Sequence, residues 1–299
     1  MNPEISSTDR FVDRLSRNVT LDPLADLVQP AVRSALDGTG PLAPLKDVLH
    51  GTPLNHPLHP ALTDIPIGAW SLAAIFDAAE IVGRAEFRPA ADLAIGVGLG
   101  GALLAVATGL AEWSDTIGEP KRLGTWHALL NTLGASAYIA SLTLRAQRKR
   151  GAAIATAFGG YGIVAFAAYL GGELAFGLHI GAKHAAPPIF PPSDFKSVLA
   201  DAELPPDSHR RIDFSGIPIL ISRDAGGVLH AVSAVCTHRG GPLEEGEFAD
   251  GYVRCPWHGG RFKLADGAVV EGPPVFPLAH LETRVRTGHI EVRPIAAPA

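Results

Sequence analysis

Cysteine is almost absent from this chain: 2 in 299 residues, Cys236 and Cys255, both near the C-terminus. So few exclude the disulfide framework of a small secreted domain. No C-x-x-C-H run occurs, which excludes covalent c-type haem. Charge is scarce too, at 18% against the ~25% usual in soluble domains. The net charge of −5 and pI of about 6.2 supply no basic field, so nucleic acid is excluded as a partner. An apolar content of 47% excludes intrinsic disorder. The 33 glycines and 25 prolines follow no collagen-like period and form no low-complexity tract. Residues 1–55 contain no apolar stretch long enough for a signal sequence, and residues 1–10 lack a basic start.

The missing charges are missing in blocks. Residues 93–111 (LAIGVGLGGALLAVATGLA) carry no ionisable side chain. Residues 124–144 carry only His127 and Tyr138, and residues 151–172 have no charge. A bilayer-crossing helix needs about 20 mostly apolar residues, so these runs predict spans over about 92–112, 125–145 and 152–173. A fourth span, about 64–83, is interrupted by Asp77 and Glu80. Three residues apart, these acids share one helix face, which a membrane helix turns toward the bundle interior. Gly96, Gly100, Gly101, Ala105 and Gly109 form a stripe suited to close helix packing. The competing reading makes the runs buried helices of a large soluble protein. Gly96, Gly98 and Gly101 also spell G-x-G-x-x-G. A dinucleotide loop needs a preceding strand and a polar turn, and inside an uncharged run that match is rejected.

The expected fold is thus α + β and multidomain. An amphipathic segment over 1–55 carries helices around 10–19 and 24–36 and a turn at 37–41. A four-helix transmembrane domain covers 56–182, a Pro-rich linker with Pro187, Pro188, Pro191 and Pro192 covers 183–193, and an all-β domain covers 194–299. The chain is expected in the cell membrane as a multi-pass protein contacting the lipid bilayer. Near the span ends one side holds Arg84, Arg88, Arg145, Arg148, Lys149 and Arg150, the other Lys46, Lys121, Arg122 and Lys183. The excess leans the first group toward the cytoplasm and the C-terminal domain outward. The lack of a disulfide suits a reducing interior instead, so the two arguments point to opposite sides.

Beyond residue 186 short β-like runs appear at 217–222, 229–232, 251–254 and 289–292, separated by Gly and Asp turns. Each cysteine has a histidine beside it: Cys236-Thr-His238 and, further on, Cys255-Pro-Trp-His258. Two thiolates and two imidazoles suit tetrahedral zinc or a [2Fe–2S] centre in which the cysteines hold one iron and the histidines the other. Zinc needs all four groups on one point, whereas the cluster needs one ligand of each kind from each of two facing loops.

The flanking residues, C-T-H-R-G-G-P-L and C-P-W-H-G-G-R-F, resemble the Rieske family over residues 194–293. The resemblance implies a [2Fe–2S] cluster with Cys236 and Cys255 on the buried iron and His238 and His258 on the outer one. Gly240, Gly241, Gly259 and Gly260 would let backbone N–H groups approach the sulfurs. Gly272-Pro273-Pro274 resembles the family's shielding third loop. High-potential members add a disulfide cysteine in each loop, where this chain has Gly241 and Trp257. They also add Ser and Tyr hydroxyls, where it has Gly260 and Phe262. Fewer hydrogen bonds to sulfur predict a ferredoxin-like potential, in the lower part of the range of about −150 to +300 mV. Ring-hydroxylating oxygenases of the family need a further iron domain, and only about 40 residues follow His258. The expected function is therefore single-electron carriage between a redox partner or membrane redox pool and an acceptor, as a component of an oxidoreductase system rather than a self-contained enzyme. A reductase or an oxidase or oxygenase component would be its partner protein. A redox sensor or regulator is the alternative.

The motifs His56-Pro-Leu-His59-Pro with Thr63-Asp-Ile-Pro-Ile-Gly68, Gly109-Leu-Ala-Glu-Trp-Ser-Asp115 and Trp126-His-Ala-Leu-Leu-Asn131 resemble an uncharacterised four-helix bacterial membrane family over about 45–182. Three readings of its histidines stand open. His59 and His127 could ligate haem b or bind a quinone, which two rings facing across a bundle would allow. His56, His59 and Asp64 could hold a metal ion. Or the histidines are interfacial groups bonded to Glu112, Asp115 and Asn131.

Overall fold

The computed structural model describes residues 7–184, 194–214 and 216–295, in two compact units. Most of the predicted linker, including its four prolines, lies outside the described residues. The first unit combines residues up to Leu49 with Leu58–Ile180, and the second combines His50–Pro57 with the chain from Gly181 onward. The segment 50–57 therefore departs from the expected division. It groups with the C-terminal unit rather than with the N-terminal helices.

In the first unit α1 (Ser7–Ser16) and α2 (Asp22–Leu36) precede a short α3 (Lys46–His50) and four long helices: α4 (Leu58–Ile81), α5 (Arg88–Ser114), α6 (Gly118–Ala146) and α7 (Arg150–Gly172). α4 pairs chiefly with α5 and α6 with α7. Gly83 at φ 94° follows the end of α4, and Pro89 sits in the first turn of α5, where its missing N–H costs nothing. The small-residue stripe expected on α5 is used in part. A Cβ at Gly101 would lie 2.5 Å from Ile65 and one at Gly109 2.7 Å from the His59 ring, whereas at Gly96 and Gly100 it would meet nothing within 4 Å. Gly98, outside the stripe, packs against the Trp70 indole. Trp70 stacks on Tyr138 with ring centres 4.4 Å apart, joining α4 to α6. The carbonyls left open at the end of α5 are taken by α2, whose Gln29 amide donates to Trp113 O at 2.9 Å and Thr116 O at 2.8 Å.

Asp77 and Glu80 do face inward, and they are not alone. Asp77 is fully buried against the Arg145 guanidinium; Arg145 and Arg150 each reach Asp92 at 2.6 Å, and Arg150 and Arg88 each reach Glu80 at 2.7 Å. Arg88, Arg145 and Arg150, counted above as loop charges, are thus committed to neutralising acids. At the opposite end Lys46, Lys121 and Arg122 pair with Asp37, Asp26 and Asp22. Raw counting of Lys and Arg therefore overstates the charge difference between the two ends.

Among the described residues two helical stretches are long and apolar enough to cross a membrane, Ala85–Ser114 and Arg150–Gly177. α4 and α6, expected as spans at 64–83 and 125–145, do not reach that mark. Asp64, Asp77 and Glu80 dilute the apolar character of α4; in the uncharged stretch of α6 it is His127, Asn131 and several Ser, Thr and Gly residues that do so.

The second unit is all-β. β1 (Lys196–Ala200), β2 (Ser208–Phe214), β3 (Ile217–Arg223), β4 (Leu229–Ser233), β9 (His280–Arg286) and β10 (His289–Pro294) form one antiparallel sheet in the order β1-β10-β9-β4-β3-β2. Between β4 and β9 the chain inserts a smaller sheet of β5 (Glu247–Ala249), β6 (Tyr252–Arg254), β7 (Arg261–Lys263) and β8 (Val269–Glu271). In β10 burial alternates as β-periodicity requires: Ile290 and Val292 point inward while His289 is exposed. One apolar cluster, with Ile219, Ile221, Leu281 and Ile290, lies within the large sheet. A second, with Leu220, Val232, Leu243, Val253 and Phe262, includes both cysteines and seats the candidate site.

Candidate metal centre

Two loops of equal length leave the small core. The first follows β4 and carries Cys236, His238, Gly240 and Gly241; the second joins β6 to β7 and carries Cys255, His258, Gly259 and Gly260. Their backbones close in the same way. Cys236 N donates to Gly241 O at 2.9 Å and Cys255 N to Gly260 O at 2.8 Å; Gly240 N donates to Cys236 O at 3.0 Å and Gly259 N to Cys255 O at 3.1 Å. Each closure turns on a glycine in the left-handed region, Gly240 at φ 76° and Gly259 at φ 73°, which a side chain would strain.

This repetition sets the four predicted ligands against one another. Both cysteines are buried and both histidines are half-buried. The imidazole centres lie 5.0 Å apart with planes nearly perpendicular. The Cys236 thiol lies against the Cys255 sulfur, with N–H groups of His238 and Arg239 directed at Cys236 Sγ and those of Trp257 and His258 at Cys255 Sγ. The shared hydrogen bond and burial push Cys236 up. The same bond, donated by Cys236, and the two N–H groups bring Cys255 down to about 6. Such N–H groups are what a thiolate ligand needs for its remaining lone pairs.

The surroundings are shaped for two large sulfur atoms. A Cβ at Gly241 would reach Cys255 Sγ at 2.8 Å and the Trp257 ring at 3.2 Å. A Cβ at Gly260 would meet Pro274 at 2.4 Å, so the third loop closes directly over the second. Pro273 and Pro274 are buried and offer no N–H. That loop is fastened by Thr237 Oγ1, which donates to Phe276 O at 2.6 Å, and by Thr52 Oγ1, which donates to Pro274 O at 3.2 Å. Thr52 was not legible as a site residue, since nothing in its own sequence surroundings signals β-domain membership. Among the described residues no three His, Cys, Asp or Glu side chains converge as a single ion would require. Two thiols side by side and two imidazoles side by side, one of each from each loop, fit a binuclear centre with sulfur at one end and nitrogen at the other.

The three histidines of the helical region are not one group. His59 and His127 face each other within the first unit, at 6.4 Å between ring centres. His56 is exposed, bonds to its neighbour's carbonyl Pro57 O at 2.9 Å, and belongs to the other unit. Among the described residues no group of three His, Cys, Asp or Glu side chains that could hold an ion is found, the expected His56, His59 and Asp64 included. Of the expected interfacial partners, Asn131 does meet His127, at 3.1 Å, and His59 bonds to Ala105 O, not to an acid.

Fold and loops together define an iron–sulfur domain of the Rieske type: residues 194–282 match the family described as Rieske [2Fe-2S] domain, and the chain belongs to that family, with its [2Fe–2S] cofactor. The particular protein is a fusion, for residues 55–184 match a second family, Predicted membrane protein (DUF2231). Ferredoxin CarAc of Metapseudomonas resinovorans is 30% identical over 95 residues, 32% of this chain and 89% of that protein. The cytochrome b6-f complex iron-sulfur subunit of Chlorobaculum tepidum is 40% identical over 67 residues, 22% of this chain and 36% of that one. In apoptosis-inducing factor 3 of Mus musculus, 30% identical over 84 residues, the match spans 14% of the protein. Among solved structures, the ferredoxin of carbazole 1,9a-dioxygenase from Nocardioides aromaticivorans IC177 is 30% identical, with 34% of this chain and 100% of that chain covered at a TM-score of 0.33.

Proposed function

We propose that this protein is a membrane-bound single-electron carrier whose cluster is held by Cys236 and Cys255 on one iron and by His238 and His258 on the other. The observation that carries this reading is the duplicated loop, which brings one buried thiol and one half-exposed imidazole from each side to one place. A [2Fe–2S] centre supplies one-electron chemistry. The chain's own part is to keep the thiolates dry, to aim N–H groups at them, and to leave the imidazole edges reachable by a partner. Trp257, 55% exposed beside His258, offers an apolar contact at that edge. The four long helices serve as a multi-pass anchor, with α5 and α7 crossing the bilayer and α4 and α6 closing their polar faces on each other. A redox protein of the reductase or oxygenase kind is the expected partner.

The test is direct. The full chain, extracted with detergent from the membrane fraction, is expected to contain two iron and two acid-labile sulfide per polypeptide and to give a Rieske spin-resonance signal after reduction. One zinc and no sulfide, or recovery in the soluble fraction after cell breakage, would overturn the reading.

A further inference from the structure

The helical unit repeats one device. His59 on α4 donates from Nδ1 to Ala105 O of α5 at 2.9 Å, and its ring lies over Gly109, where a Cβ would sit 2.7 Å from the imidazole. His127 on α6 donates from Nδ1 to Ala167 O of α7 at 2.8 Å, and its ring lies over Gly171, where a Cβ would sit 3.0 Å away. In both helix pairs the accepting alanine and the accommodating glycine are four residues apart, hence on one face of the supporting helix. Fastening a helix pair explains each Nδ1 bond. It does not explain why the two rings then come together across the two pairs, 6.4 Å between centres and 83° between planes.

A carbonyl can only accept, so both Nδ1 atoms carry the proton and both Nε2 atoms present a lone pair. An N–H bonded to a carbonyl with the other nitrogen free is the arrangement that fixes a metal-binding imidazole. His59 Nε2 has no hydrogen-bond partner among the described residues, and His127 Nε2 accepts from the Asn131 amide at 3.1 Å, a bond that a metal there would replace while the amide keeps its second bond to His127 O. Two imidazoles bound to one metal through bonds of about 2 Å put their ring centres about 6 Å apart, the spacing observed. The protein supplies no third donor, since no group of three ligating side chains occurs among the described residues. A metal held there needs its remaining coordination from a ligand that brings its own donors. In an apolar bundle a planar four-nitrogen macrocycle meets that need.

We propose that His59 and His127 are the axial ligand pair of a non-covalently bound b-type haem between the α4–α5 and α6–α7 pairs. The site is independent of the cluster loops, and either can be present without the other.

Full-length protein in detergent, titrated with hemin, is expected to bind one haem per chain. The spectrum should be low-spin, with the strongly anisotropic spin-resonance signal of two near-perpendicular imidazoles. His59→Ala and His127→Ala should each lower occupancy by at least about tenfold, while the Rieske signal keeps its amplitude. Added imidazole restoring the low-spin spectrum in either variant supports the assignment. The cluster signal reports folding, so a variant that loses both signals is replaced by Gly109→Ala, which crowds the His59 ring and should weaken haem without touching the cluster. Wild-type protein that carries its cluster and takes up no haem would overturn the proposal. So would uptake that survives both histidine substitutions, or a stoichiometric quinone or lone transition metal in its place. Haem binding without a Rieske signal would instead sink the cluster reading and leave this one standing.

Discussion

At Gly241 one hydrogen atom separates a working loop from a blocked one. A methyl there meets Cys255 Sγ at 2.8 Å, inside contact distance, so Gly241→Ala should weaken cluster retention about 10- to 100-fold, read as iron and sulfide lost during gel filtration. Cys255→Ser should abolish the reduced-state signal altogether. Phe262, fully buried in the same apolar cluster as both cysteines, is the place where a hydroxyl could be added with little change of shape. Phe262→Tyr is expected to raise the midpoint potential in a redox titration, because a hydrogen bond toward the centre favours its reduced, more negative state. An unchanged or lower potential would show that the hydroxyl points elsewhere. At this scale the sequence was generous. Cys, His and paired glycines carry their chemistry in their identity and spacing, so the four candidate ligands and the cradle around them could be read directly. Thr52 could not, because its contribution is a single hydrogen bond to a carbonyl more than two hundred positions away.

Helices and strands were legible to the degree that burial is local. The uncharged runs mark α5 and α7, short apolar runs bounded by turn residues mark β3 and β4, and alternation marks β10. α4 and α6 were harder, because their apolar character is shared with charged groups whose partners lie on other helices. Nothing local announces that Asp77 will meet Arg145, or that Arg150 will divide itself between Glu80 and Asp92. The pairing is a property of how four elements pack. It also has a cost attached to its removal. Asp77→Ala leaves the Arg145 guanidinium buried beside an empty position, and a loss of about 3–5 kcal/mol is expected in thermal unfolding of the detergent-solubilised protein. Replacing Asp77 and Arg145 together by Leu and Met should recover most of that loss, since an apolar pair needs no compensating charge. If the double variant is no better than the single one, the network is holding the helices in register through Asp92 and Glu80 instead.

Over the whole chain, the two units are not two consecutive stretches of sequence. The β unit draws residues 50–57 from ahead of the long helices, and one of them fastens the loop that covers the cluster loops. Thr52→Val keeps shape and removes the donor to Pro274 O; about 1–2 kcal/mol of stability should be lost, with faster bleaching of the visible circular dichroism on warming. A wild-type bleaching rate would mean that the segment is a passenger. Domain boundaries inferred from composition miss such an arrangement, because a short polar segment leaves no compositional trace of which core it joins.

Gly260 lies so close to Pro274 that it cannot gain a side chain while that proline keeps its place. A serine at 260, the substitution that would make this loop look like its high-potential relatives, has no space until residue 274 is trimmed. Electrochemical tuning by that path therefore demands two coordinated replacements, and lineages or libraries sampled one codon at a time will meet a folding defect before they meet a more oxidising centre.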